Sequence, residues 1–185
     1  MPTPDLSLRD IRAAGRGDKR AQRLLVDSLM PTAYRLAFRM LNNQALAEDA
    51  TQDAFMRLWR YLPDWEPRAK LSTWFYKVTL NVCQDRLRKK TETLMEVLPD
   101  PIDERDGPAQ SLERAQMANK LHAAIATLPE RQRAAITLCG IEQLSQKEAA
   151  EILETSAVAV DSLVARAKRA LRVALSNEVE EGVRG

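Results

Sequence analysis

The chain has 185 residues, enough for one larger domain or two small ones with hydrophobic cores of their own. Its 6 glycines and 9 prolines are few, which predicts an all-α protein, and its net charge of +2 excludes a polybasic chain, so any nucleic-acid contact must come from local patches. One histidine, His122, and two distant cysteines, Cys83 and Cys139, give no basis for a histidine-based metal site, a catalytic triad or a CxxC motif, so we expect reduced thiols and no cofactor.

The N-terminal segment predicts short helices and no targeting sequence. It lacks the apolar core of a signal peptide, and no apolar run approaches the length of a membrane span, so we expect a soluble, cytoplasmic protein without membrane insertion. Residues 6–16 predict a helix that ends at Gly15 and Gly17, and Asp18 can cap a second helix. Pro31 leaves two alternatives open, because it can either kink this helix or begin a new one.

The segment from Ala45 to Leu62 predicts the most regular helix of this half. Its apolar residues recur at every fourth position, and its opposite face is polar and largely acidic. Sequence physics alone favours a solvated surface for that face. A docking surface for a basic partner is the alternative.

A loop over residues 63–72 interrupts the helical pattern. It holds Trp65 between two stiffening prolines, with Arg68 and Lys70 close by. An aromatic face beside positive charge suits an unstacked base. The alternative is that Trp65 folds back as an anchor of the core.

The next helix is predicted to be capped by Ser72 and to run to about Lys90, becoming basic toward its end. Cations in a last turn also favour the helix dipole, so the basic end has a structural explanation too. Residues 92–110 are acidic and contain several prolines, which predicts a flexible linker. Helices resume over 109–126, and Pro129 is predicted at the first position of another.

Residues 144–175 predict a helix-turn-helix. Ser145 and Glu148 have the spacing of a capping box, and either Thr155 or Ser156 can cap the second helix. That helix combines a buried stripe with a serine and several cations on its other face, as expected of a helix that enters the major groove. A helical hairpin with a solvated basic face is the alternative, and the turn lacks its usual glycine.

Taken together, these motifs resemble those of extracytoplasmic-function (ECF) sigma factors, group IV of the sigma-70 family. The matching runs are EDATQDAFMRLW at residues 48–59, STWFYK at 72–77 with Asn81 and DRLRK at 85–89, and LPERQR at 128–133 with LS at 144–145 and EAA at 148–150. They resemble, in this order, the family's core-binding helix, its promoter-melting segment and its C-terminal DNA-binding domain. The resemblance covers about residues 18–175.

The resemblance implies a two-domain promoter-specificity subunit of bacterial RNA polymerase, which is not an enzyme. A region 2-like domain over residues 1–91 would bind core polymerase and the −10 element. The acidic linker over 92–110 would pass near the RNA exit path, and a region 4-like helix-turn-helix domain over 111–185 would bind the −35 element. The implied partners are the large catalytic subunits of core polymerase, promoter DNA as −35 duplex and −10 single strand, and an anti-sigma factor.

Roles for single residues follow from the resemblance alone. The acidic face would contact core polymerase through Asp49, Gln52, Asp53 and Arg57, which favours the docking alternative for that face. The −10 element and promoter melting would involve Trp65, Arg68, Lys70, Lys77, Asn81, Arg86 and Arg88. The −35 element would be bound by Ser145, Ser162, Arg166, Lys168 and Arg169.

Two positions depart from the family pattern. Many members carry a basic residue and an arginine on either side of the recognition-helix serine, and here these positions hold Asp161 and Leu163. A carboxylate near phosphate is repulsive, so we expect −35 reading to be shifted along the helix or weakened.

Two other functions stay as alternatives. A stand-alone helix-turn-helix regulator that binds DNA as a dimer leaves the Trp65 loop and the acidic linker unexplained. A helical nucleic-acid hydrolase requires a carboxylate cluster or histidine ligands, and the sequence shows neither.

Overall fold

A computed structural model describes residues 6–92 and 110–183, with side chains over 6–89 and 117–176. Within these ranges the chain is helical and contains no strand, which confirms the all-α prediction. The helices are α1 (Leu8–Gly15), α2 (Lys19–Leu41), α3 (Gln44–Tyr61), α4 (Leu71–Glu92), α5 (Gln110–Ala126), α6 (Glu130–Ile136), α7 (Gln146–Ile152) and α8 (Ala157–Val183). The predicted linker falls almost wholly outside the described residues, and the predicted domain boundaries stay predictions.

The first helices begin and end largely where local sequence signals predict. The Asp18 carboxylate accepts a hydrogen bond from the backbone N–H of Ala21 and caps α2. This helix continues through Pro31, so Pro31 does not begin a new one. At the end of α1, a Cβ on Gly15 would lie 2.8 Å from the carbonyl oxygen of Leu62, so glycine permits the close approach of these two segments.

Two predicted helix starts are wrong, that of α4 by two residues and that of α6 by one. Helix α4 begins at Leu71, because Leu71 is buried and the Trp74 N–H already bonds to the Lys70 carbonyl oxygen; Ser72 therefore lies inside the first turn and not at the cap. Pro129 precedes α6 as its N-cap, because its ψ of 141° is extended and not helical. The helix then passes into a π-helical turn, Thr137–Ile141.

Two clusters of buried side chains form the interior. The smaller cluster joins α1, the first part of α2, α3 and the start of α4, around Leu25, Leu58 and Phe75. The larger cluster begins with Leu36 and Met40 at the end of α2 and continues through α4 into α5–α8. The larger cluster therefore contains residues from both halves of the chain.

His122 belongs to the contact between α2 and α5. Its ring stacks on Phe38 with centroids 4.5 Å apart, and its Nδ1 lies 2.9 Å from Nη1 of Arg39. Burial, followed by the positive charges of Arg39 and Arg133, lowers the pKa of His122 to about 4. The histidine is therefore a neutral packing residue.

Both cysteines are free thiols, Cys83 buried and Cys139 half-buried. Burial raises the pKa of Cys83 to about 12. No helix in the described ranges is long and apolar enough to span a bilayer.

Candidate polymerase and nucleic-acid interface

The acidic face of α3 lies against the basic end of α4. Asp49 and Asp53 expose 61% and 54% of their side chains, yet both pair with Arg86: its Nη2 lies 2.5 Å from Asp53 and its Nη1 lies 3.7 Å from Asp49. Arg86 is only 24% exposed. The resemblance assigns Asp49 and Asp53 to core polymerase and Arg86 to the −10 element, and the fold brings the three side chains together.

A second set of ion pairs extends this contact. Asp85 on α4 is 3.8 Å from Arg57 on α3 and 3.1 Å from Arg88 on its own helix. Gln52 is exposed and lies beside Asp53 on the same face of α3. The four predicted core-binding residues thus occupy one surface, whose charge is partly neutralised by α4.

The loop between α3 and α4 forms an aromatic pocket. Tyr61 at the end of α3 stacks on Trp74 in the first turn of α4, with ring centroids 4.2 Å apart and planes 14° apart. Together with Trp65 and Arg68, these rings line an open pocket of about 310 Å³. Tyr61 and Trp74 were not predicted as site residues; the available signal was an aromatic residue at the end of each helix that flanks the loop.

Trp65 packs against the core, as the anchor alternative expects, and its predicted contact with an unstacked base stays a prediction. The same residue is partly buried against the N-terminal core cluster and also lines the aromatic pocket. Arg68 is exposed and forms a 2.7 Å ion pair with Glu66 inside the same loop. Asn81 is exposed on α4, one turn beyond Lys77 and two turns beyond Trp74.

Two of the cations predicted for the −10 element contact the C-terminal helices. The Lys77 ammonium lies 2.6 Å from the Glu154 carboxylate, and Lys70 lies 3.4 Å from Glu148. Lys70 and Glu148 also line a cleft of about 820 Å³, whose walls come from the start of α1, the loop before α4 and residues 142–144. Both halves of the chain therefore form this cleft.

A buried carboxylate closes the floor of the cleft. Glu142 exposes 1% of its side chain, and it accepts hydrogen bonds from Nε and Nη2 of Arg35 on α2 at 2.9 and 2.7 Å. The Tyr76 hydroxyl lies 3.4 Å from the same carboxylate. The hydrogen bond to Glu142 is the main cause of the raised pKa of Arg35.

Helices α7 and α8 form the predicted helix-turn-helix. The capping box is complete: the Ser145 hydroxyl accepts from the Glu148 N–H, and the Glu148 carboxylate accepts from the Ser145 N–H. Hydrogen bonds from Ser145, followed by contact with Lys70, lower the pKa of Glu148. In the turn, Glu154 adopts the left-handed φ of 49° that glycine usually supplies, and Ser156 caps α8.

Ser145 is the N-cap of α7, and the other four predicted −35 residues lie on α8. Ser162, Arg166 and Arg169 are on the outward face of α8, and Lys168 is on its flank. The opposite face of α8 is buried through Val160, Val164, Ala167 and Leu171. Arg166, Lys168 and Arg169 are exposed, and none forms an ion pair with a described residue. Ser162 donates to the Val158 carbonyl oxygen, whereas the Asp161 carboxylate accepts a 2.7 Å hydrogen bond from the Gln146 amide on α7.

Comparison with known families and proteins finds similarity along both halves of the chain. The profile of Sigma-70 region 2 matches residues 25–93, and that of Sigma-70, region 4 matches residues 118–171. The ECF RNA polymerase sigma factor SigE of Mycolicibacterium smegmatis is 34% identical over 152 residues, which cover 80% of this chain and 59% of SigE. The chain thus spans less than two thirds of that relative.

Two further similarities extend over nearly the whole chain. The ECF RNA polymerase sigma factor SigW of Bacillus subtilis is 31% identical over 177 residues, which cover 88% of this chain and 92% of SigW. Among solved structures, CnrH in complex with the cytosolic domain of CnrY has a TM-score of 0.69 at 26% identity, covering 91% of this chain and 96% of CnrH. CnrH is an RNA polymerase sigma factor of Cupriavidus metallidurans.

Proposed function

The chain belongs to the ECF sigma factors of the sigma-70 family, and from this premise we propose that it binds core RNA polymerase through α3, captures the −10 strand at the loop before α4 and reads the −35 duplex with α8. Sigma factors direct initiation and are not enzymes themselves. The observation that carries the proposal is the aromatic pocket of Tyr61, Trp65 and Trp74, because a duplex-binding protein has no need of stacking surfaces for single bases.

Core polymerase binds the exposed polar face of α3. Asp49 and Asp53 keep more than half of their side-chain surface free, although Arg86 contacts both. A basic partner surface can replace Arg86 at these carboxylates, with Gln52 and Arg57 beside them for hydrogen bonds and charge. Released from Asp53, Arg86 becomes available to a nucleic-acid phosphate.

The −10 strand binds along the loop and the exposed side of α4. A flipped base stacks in the pocket, where Arg68 neutralises the adjacent phosphate, and Asn81 offers a donor and an acceptor to a base edge. Lys70, Lys77 and Arg88 are cations on the same side. Each of these cations is in an ion pair in the structure: Arg68 with Glu66, Lys70 with Glu148, Lys77 with Glu154 and Arg88 with Asp85. Strand binding therefore requires these four ion pairs to be exchanged for phosphate contacts.

The −35 duplex binds the outward face of α8. Arg166, Lys168 and Arg169 are exposed cations on this helix, and Ser162 lies near the centre of its outward face. Such cations bind phosphates strongly because they release condensed counterions. Ser145 acts by positioning α7, since its hydroxyl and its N–H are both bonded to Glu148.

An anti-sigma protein controls the chain in the cytoplasm. The similar sigma factor CnrH has been solved in complex with the cytosolic domain of CnrY. Here the cleft of about 820 Å³ between the two halves is open to a protein segment from outside, and Trp65, Leu144 and Lys70 would offer it both apolar and charged contacts.

The proposal is tested with purified core polymerase and a promoter library. We expect the chain to co-elute with core polymerase, and the holoenzyme to make −10 thymines reactive to permanganate. Arg166→Ala with Arg169→Ala should abolish promoter selection while co-elution persists. Arg20→Ala with Arg23→Ala on α2, which removes the same two charges from exposed sites, should change neither. A symmetric dimer on duplex DNA without core polymerase would contradict the proposal and support the stand-alone regulator.

A further inference from the structure

Val158 is the most exposed of the large hydrophobic residues that the structure describes, at 77%. It occupies the second position of α8, where the recognition helix of a helix-turn-helix meets the bases. Valine has a lower helix propensity than alanine, because its branched side chain loses χ1 freedom. Neither core packing nor helix formation therefore accounts for a valine at this position.

The geometry of α8 directs Val158 to the same side as its cations. At 3.6 residues per turn, Val158, Ser162 and Ala165 follow one line along the helix, opposite the buried stripe, with Arg166 and Arg169 on the same side. A duplex held by those two arginines therefore lies against Val158. The outward face thus presents a methyl-bearing tip at its leading end and positive charge further along.

The carboxylate of Asp161 does not interrupt this face. Asp161 is turned about 100° around the helix from Ser162, and the Gln146 amide donates a 2.7 Å hydrogen bond that holds its carboxylate toward α7. The repulsion expected between Asp161 and DNA is therefore confined to the flank of the helix. The central face is left to the apolar and hydroxyl side chains.

We propose that Val158 reads the 5-methyl group of a thymine in the −35 element, an inference that rests on the proposed role of α8 as the −35 reader. In the major groove the thymine methyl is the one apolar feature that distinguishes the base pairs, so an apolar side chain at the leading end of the recognition helix selects it. Selection of that base pair then depends on the thymine methyl group more than on the hydrogen-bonding groups of the base edges.

The proposal is tested by removing methyl groups from either side of the contact, the 5-methyl of thymine or the two γ-methyl groups of Val158. Duplexes are selected from a random-sequence library by holoenzyme containing the full chain, and each −35 thymine of the selected sequence is replaced in turn by uracil, which lacks only the 5-methyl. At one position we expect about fourfold weaker binding, the value of one buried methyl group. Val158→Ala should weaken binding to the thymine duplex by a similar factor and make that position insensitive to uracil.

Val173→Ala is the matched control. Val173 is exposed on the same side of α8 but about 22 Å further along the axis, beyond the leading turns that meet the bases. The Val173→Ala variant should therefore keep both the affinity and the uracil sensitivity of the wild type.

The outcomes separate this inference from the function on which it rests. If Arg166→Ala with Arg169→Ala leaves −35 binding intact, α8 does not bind the −35 element. The proposed role of α8 and the proposed role of Val158 are then both overturned. If these arginines are required but no thymine shows a uracil effect that Val158→Ala removes, only the role of Val158 is overturned.

Discussion

Arg35 and Glu142 lie 107 positions apart in the sequence and form a bidentate ion pair between the two halves of the chain, at 2.9 and 2.7 Å. The glutamate side chain is almost completely buried, whereas the arginine is half exposed. A buried carboxylate without a partner is costly, so Glu142 makes the contact between the halves depend on Arg35. The pair is thus a specific contact of this arrangement and not a general surface charge.

Arg35→Ala should lower the free energy of unfolding by about 1–3 kcal/mol, less than the loss of a fully buried pair because Arg35 is partly solvated. Glu142→Gln together with Arg35→Ala should cost less than the sum of the two single changes, since no buried charge remains in the double variant. Chemical denaturation of the four proteins measures this coupling. Strict additivity would mean that the two side chains do not interact in solution.

Reversing charge at Asp49 and Asp53 should weaken binding to core polymerase by about tenfold or more, because attraction becomes repulsion at both positions. The structure supplies a control for the accompanying loss of the Arg86 contacts. Arg86→Ala breaks the same internal ion pairs but keeps both carboxylates, so core affinity should be unchanged or higher. Titration of labelled chain with core polymerase measures the affinity of each variant. Equal weakening in the two variants would mean that the loss of affinity comes from a disturbed packing of α3 and α4 and not from the two carboxylates.

Trp65→Ala and Asn81→Ala should reduce open-complex formation while core binding persists. A stacked base contributes about 1–3 kcal/mol, so single-stranded −10 oligonucleotides should lose affinity about five- to a hundredfold in the Trp65 variant. Trp65→Phe retains an aromatic ring, so this variant should keep much of the wild-type affinity for the oligonucleotides. Permanganate reactivity of −10 thymines is the direct measurement.

Trp65 also packs against the N-terminal core, so its variants need a stability control. Thermal unfolding of Trp65→Ala separates lost packing from lost stacking, and Asn81→Ala, at an exposed position, should unfold like the wild type. Wild-type opening in both alanine variants would mean that bases are captured elsewhere on the protein.

His122 should make the stability of the chain depend on pH between about 6.5 and about 4. The pKa of His122 is lowered to about 4 in the folded protein, whereas an unfolded chain protonates it near 6.5. The unfolded state therefore binds the extra proton first, and stability falls as the pH drops through this window, by about 1–3 kcal/mol in total. His122→Gln should unfold with a flatter pH dependence than the wild type, and an identical dependence would mean that the buried imidazole is not the group that titrates.

Local patterns in the sequence were sufficient for the helices, their caps and the helix-turn-helix. Apolar periodicity and the pairing of Asp18 with Ala21 or Ser145 with Glu148 involve residues at most four positions apart, so each can be recognised without knowledge of the rest of the chain. The resemblance to sigma factors rests on the same kind of contiguous motif. The errors at Ser72 and Pro129 are errors of two residues and one residue at helix ends, where competing cap positions differ little in energy.

Contacts between distant segments required the tertiary structure. The pairing of Arg86 with Asp53, the stacking of Tyr61 on Trp74 and the burial of Glu142 beside Arg35 each depend on how two helices are placed relative to one another. An amphipathic pattern determines which face of a helix is buried but not which neighbour covers it, because many partners bury the same apolar area equally well. The sequence by itself therefore determined the helices and the surfaces they offer, whereas the packing of the whole chain decided which charges meet, which rings stack and which carboxylate is enclosed.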